Sequence, residues 1–69
     1  MNTVKAQLLK EMFPVGCTVV CDHMQDEHGV PSGTKGKVVY IDDIGNIHVK
    51  WENGSSLALI YGVDKFHKA

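Results

Sequence analysis

Cys17, Cys21, His23 and His28 are residue types that bind zinc, and they fall within one short segment. Their spacing argues against a metal centre. A tetrahedral site with bonds of about 2.3 Å usually takes its thiolates from a tight C-x₂-C knuckle, which is absent here. On a strand, Cys17, Cys21 and His23 would share one face but spread too far along it for one ion. The same geometry excludes a disulfide within the strand. At about 3.3 Å per residue the two cysteine Cα atoms lie about 13 Å apart, whereas a disulfide needs less than about 7 Å. Two small buried thiols beside a solvated histidine loop account for these residues more simply. Acids form two further groups, one of Asp22, Asp26 and Glu27, the other of Asp42 and Asp43. Neither offers the spaced oxygens and mid-loop glycine of a calcium loop. Aspartates at turn positions bond their own backbone instead. His48 lies on the polar face of a strand with no nucleophile or acid evident beside it. Catalysis needs nucleophile, base and orienter to converge. These residues point to no catalytic centre, no metal and no cofactor.

Composition narrows the function classes further. A chain of 69 residues folds to a surface of about 4,300 Å² from about 11,000 Å², enough for one small core and too little for a deep enclosed site. Apolar residues make up 43% and charged residues 22%, which is globular rather than disordered composition. No window approaches the ~18 apolar residues of a membrane span. The start, Met1-Asn2-Thr3-Val4-Lys5, lacks the apolar run of a secretion signal, and two free thiols fit a reducing cytoplasm. The cations are all lysine, and the net charge is -1. That disfavours a strongly basic nucleic-acid binder.

Residues 3–12 read as a helix. Val4, Leu8 and Met12 recur every four residues, and Leu9 widens the stripe. Thr3 or Asn2 would cap it, and Pro14 ends it by pushing its predecessor out of the α region. So short a helix is unstable alone, so its stripe must be covered by its own sheet, a second copy or a partner. The organisation expected is an N-terminal helix (1–13) followed by a β domain (14–69). Residues 17–22 form a β-branched strand and residues 23–35 a long polar loop. Strand 36–42 turns at Asp42-Asp43-Ile44-Gly45 into 46–51, where Ile47, Val49 and Trp51 alternate with His48 and Lys50. Asn53-Gly54 predicts a type I′ hairpin, which needs φ > 0 at both central residues. Residues 56–60 return, 61–64 turn tightly, and 65–67 form a last strand.

Five short strands with one long loop and tight turns predict a small, bent antiparallel barrel, because closure removes exposed edges. The expected core is Val19, Cys21, Val38, Ile41, Ile47, Val49, Leu57, Leu59, Val63 and Phe66. Val38 and Ile41 cannot both face inward on a regular strand, which predicts a bulge near Val39-Tyr40.

Three runs carry a resemblance: PSGTKGKV from Pro31 to Val38, IDDIGNIHVKWENGSSL from Ile41 to Leu57, and IYGVDKF from Ile60 to Phe66. Over roughly residues 13 to 67 the chain resembles a family of small bacterial and phage proteins, domain of unknown function 4314. Its most specific stretch is Asp42 to Leu57. The resemblance implies a mainly β fold, a small five-stranded antiparallel SH3-like barrel with a short N-terminal α-helix. It also implies a setting among plasmids, prophages and other mobile elements. It brings no activity and no site residue, and the helix and the loop from His23 to Val30 lie outside it.

In SH3-like barrels the long first loop and the hairpin of strands 3 and 4 frame a face that often carries a ligand groove. Aromatics and methionine are enriched at recognition surfaces. The candidate partner-binding residues are therefore Met24, Val30, Tyr40, Trp51 and Tyr61. The plainer alternative has Trp51 capping the core and Tyr40 packed on the helix. The function expected is a small non-enzymatic protein-binding module, adaptor or inhibitor-like. One alternative is nucleic-acid binding along a strip of Lys35, Lys37 and Lys50 with Tyr40 for stacking; another is a small metal-binding protein. No membrane partner is expected, and the chain is either a monomer or a homodimer through the N-terminal helix.

Overall fold

A computed structural model describes residues 3–24 and 29–69. Helix α1 (Thr3–Met12) precedes five strands: β1 (Thr18–His23), β2 (Lys35–Ile41), β3 (Asn46–Trp51), β4 (Ala58–Ile60) and β5 (Lys65–Lys68). They form one antiparallel sheet in the order β4-β3-β2-β1-β5. The mainly β expectation holds, but the barrel is only approximate, because no ladder joins the edge strands β4 and β5 among the described residues. A tight turn caps the β4 edge instead. Asp64 Oδ2 accepts the Ile60 N–H at 2.8 Å, while the N–H groups of Val63 and Asp64 donate to the Ile60 carbonyl. Those bonds occupy backbone groups that a bare edge would offer to another chain.

The β2–β3 ladder slips between Val38 and Tyr40, leaving Val39 without a cross-strand partner. This bulge inverts the strand's alternation, so that Val38 and Ile41 are both buried, as the sequence pattern requires. Gly36 lies opposite Trp51. A Cβ there would fall 2.5 Å from Val49 Cγ1 and 2.8 Å from Trp51 Cε3, so the indole covers the position that the glycine leaves open.

The two hairpin turns share one design, which is not type I′. The Gly45 N–H donates to the Asp42 carbonyl and the Gly54 N–H to the Trp51 carbonyl, and the ladders resume through Asp42 N to Asn46 O and Trp51 N to Ser55 O. Gly45 and Gly54 have φ of 89° and 90°, and no described non-glycine residue has positive φ. This is a type I turn followed by a left-handed glycine. Asn53 is held at negative φ while its Oδ1 accepts the Ser55 N–H at 3.0 Å. β4 begins at Ala58 rather than 56, because the Leu57 carbonyl accepts the Trp51 indole N–H at 2.9 Å.

The core joins Leu9, Phe13, Val19, Cys21, Met24, Val30, Val38, Ile41, Ile47, Val49, Trp51 and Leu59, with Cys17 and Phe66 packed against it. Leu57 and Val63, expected inside, are exposed. Leu57 is drawn outward with the carbonyl that serves Trp51, and in the 61–64 turn it is Asp64, not Val63, that points inward. The helix also corrects the expectation. It docks through Ala6, Leu9 and Phe13, leaving Val4, Leu8 and Met12 exposed at 71, 55 and 46%. Phe13 extends the docked face beyond α1 and meets the Phe66 ring at 5.1 Å. No helix among the described residues is long and apolar enough to cross a membrane.

Candidate functional site

His48 has an acid partner that sequence reading missed. The register Tyr40↔His48 and Ile41↔Ile47 brings the first turn residue, Asp42, back alongside His48. Asp42 Oδ2 lies 3.0 Å from His48 Nε2, and Oδ1 accepts the N–H groups of Asn46 at 2.8 Å and Ile44 at 3.2 Å. The hydrogen bond from His48, followed by that from Asn46, holds the Asp42 carboxyl below its ordinary range. The Tyr40 ring stacks on the imidazole, with centroids 4.1 Å apart and planes 5° off parallel. Tyr40 thus packs on His48 rather than on the helix. Among the described residues no serine, threonine or cysteine side chain bonds to this pair, so its evident work is to fasten the β2–β3 turn. A second pair, His67 Nδ1 with Asp22 Oδ2 at 2.8 Å, ties β5 to β1 at the surface.

The cysteines do not converge on a ligand. Cys21 is buried and its Sγ donates to the Val30 carbonyl at 3.5 Å. Burial pushes its thiol pKa up, and the charges of Asp22 and Asp64 add to the rise. Cys17 is half-buried and His23 exposed, while His28, Asp26 and Glu27 lie outside the described residues. No group of three or more His, Cys, Asp or Glu among the described residues is placed to hold a metal ion.

The partner-facing set divides. Met24, Val30 and Trp51 are core residues, Trp51 only 2% exposed. The two ends of the long loop fold inward, where Met24 Sδ accepts the Val30 N–H at 3.4 Å. Met24 and Val30 offer a partner almost no surface and leave the candidate site, while Trp51 reaches the surface only by one edge. Tyr40 and Tyr61 remain exposed. Tyr61 stands edge-on to Phe66 at 6.3 Å and shares a hollow of about 430 Å³ with Met12, Phe13, Asp22 and Phe66. The helix stripe of Val4, Leu8 and Met12 therefore runs along α1 into this hollow. Its signal in the sequence is Phe13 just past the helix and the small Ala6, which mark the opposite face as the docked one.

The lysines come together elsewhere. Lys37 and Lys50 are direct cross-strand partners, Thr18 faces Lys37 from β1, and the Glu52 N–H bonds the Lys35 carbonyl. Lys35, Lys37, Lys50, Thr18, Glu52 and the edge of Trp51 line an open hollow of about 680 Å³.

The family described as Domain of unknown function (DUF4314) matches residues 2–69, taking in α1 and the long loop as well as the strands. No curated protein and no solved structure matches the chain.

Proposed function

The chain belongs to the DUF4314 family, and we propose that it acts as a small non-enzymatic protein-binding module, adaptor or inhibitor-like, serving a phage, plasmid or other mobile element in the bacterial cytoplasm. One observation carries the reading. α1 docks with one apolar face and presents a second, Val4, Leu8 and Met12, that leads into the hollow beside Tyr61. Contiguous exposed apolar surface of this kind marks interaction sites on small proteins. Aliphatic anchors on a helix with an adjoining aromatic are a common way to engage a partner protein. The setting among mobile elements rests on the family resemblance.

The test is affinity capture with quantitative mass spectrometry from several bacterial and phage-infected lysates. Wild type should retain one stoichiometric protein. Leu8→Ser with Met12→Ser, or Tyr61→Ala, should release it while Trp51 fluorescence reports an intact core. Capture of no protein in any lysate, or equal capture by the variants, would overturn the reading.

A further inference from the structure

We propose that the lysine-lined hollow on β2 and β3 receives an extended acidic peptide segment of the partner protein. This rests on the protein-binding reading above, but it names a second surface and a chemistry for what lies there.

Lys37 and Lys50 stand directly opposite each other, and like charges in that position destabilise a sheet. Lys35 projects on the same outward side of β2, its Cα about 6.6 Å from that of Lys37 by strand geometry. Among the described residues none of the three makes a side-chain hydrogen bond or ion pair. Against them the lining sets one acid, Glu52. The hollow is therefore a concentration of unneutralised positive charge on a chain whose net charge is -1. An anion seated between Lys37 and Lys50 would replace their mutual repulsion with two charge-assisted bonds.

The lining favours carboxylates on a peptide over phosphates on a nucleic acid. Single-stranded nucleic acid is held by exposed aromatics that stack on bases, and the Trp51 ring at this hollow is buried. Tyr40 stacks one ring face on His48 and does not line the hollow. The planar guanidinium forks that grip phosphate are missing, since every cation is a lysine. Glu52 in the lining can accept a backbone N–H from a peptide, a donor that a phosphodiester backbone does not have. In an extended peptide, side chains on one face recur about every 6.8 Å, which matches the separation of Lys35 and Lys37.

The experiment is an NMR titration of the isotope-labelled chain with an octapeptide of alternating glutamate and serine. The same octapeptide with glutamine for glutamate, and an oligothymidine of equal length, serve as comparators. The acidic peptide should give saturable shifts at the amides of Thr18, Lys35, Lys37, Lys50 and Glu52, and should weaken as salt is raised. Lys37→Glu with Lys50→Glu should weaken it at least about tenfold. The milder Lys37→Gln with Lys50→Gln should weaken it less, and Leu8→Ser should leave it unchanged. Shifts that are absent, that the glutamine peptide reproduces, or that oligothymidine produces at lower concentration would overturn the proposal. In the lysate capture, loss of the partner with the lysine variants supports the hollow. Loss with the Leu8 and Met12 variants alone overturns the hollow's role and leaves the protein-binding reading standing.

Discussion

Asp42 binds three groups through one carboxylate: two backbone N–H groups of its own turn and the imidazole of His48. Those bonds exist only in the folded chain, so they make the folded carboxyl a weaker proton acceptor than the unfolded one. The sign of the pH effect follows. The stabilisation is complete above the unfolded value of about 3.9 and is lost as pH falls through the depressed folded value. The melting temperature should drop on acidification below about pH 4 more steeply in wild type than in Asp42→Asn, whose amide keeps a turn acceptor but cannot titrate. Parallel melting curves for the two proteins would remove Asp42 as the source. The turn role of Asp42 was legible, because aspartate at such a position has a short-range habit. Its contact with His48 was not, because it depends on the ladder register beyond the Val39 bulge. The same limit separated Tyr61, exposed as expected, from Trp51. Residue type marks both as recognition residues, while the alternation with Ile47 and Val49 offers a buried Trp51 as well. The space above Gly36, which lets the indole settle inward, is the part that no local pattern reveals.

α1 carries two apolar faces, and the choice between them is a tertiary matter. Counting apolar residues at four-residue intervals selects Val4, Leu8 and Met12. The docked face is Ala6, Leu9 and Phe13, a set weakened on paper by the small alanine and by Phe13 lying past the helix end. What decides is the shape underneath: the Leu9 side chain reaches Gly45 in the β2–β3 turn, and Phe13 finds the ring of Phe66. Neither partner is near in sequence, so no local pattern reveals them. Two adjacent leucines make the test direct. Leu9→Ala should cost about 2–5 kcal/mol in denaturant unfolding, as for a buried leucine. Leu8→Ala should stay within about 0.5 kcal/mol. The reverse order would mean that the helix docks by its other face. The strands were easier to read, since period-two alternation is local. The exception, the late start of β4, traces again to a long-range bond, from the Trp51 indole to the Leu57 carbonyl.

At the scale of the whole molecule the question is whether helix and sheet are one cooperative unit or two. The sequence reading separates 1–13 from 14–69, and the family match runs through both without a break. Leu9 and Phe13 belong to the same buried cluster as the strand residues. Phe66 links them further, touching Phe13 on one side and Tyr61 on the other. A helix of this length has too little intrinsic stability to persist once detached, and the sheet would lose two core side chains with it. Helix and sheet should therefore unfold together. The molecule supplies two reporters: far-UV circular dichroism reads the backbone, including α1, while fluorescence reads Trp51, the single tryptophan, buried at the end of β3 opposite Gly36 of β2. In urea the two signals should give one midpoint and one slope, the mark of a two-state transition. In Leu9→Ala both midpoints should move down together, because the lost contact belongs to the shared core. A helical signal that melts ahead of the Trp51 signal would divide the molecule at Phe13. It would also make the exposed stripe of α1 the face of a detachable arm rather than a fixed surface.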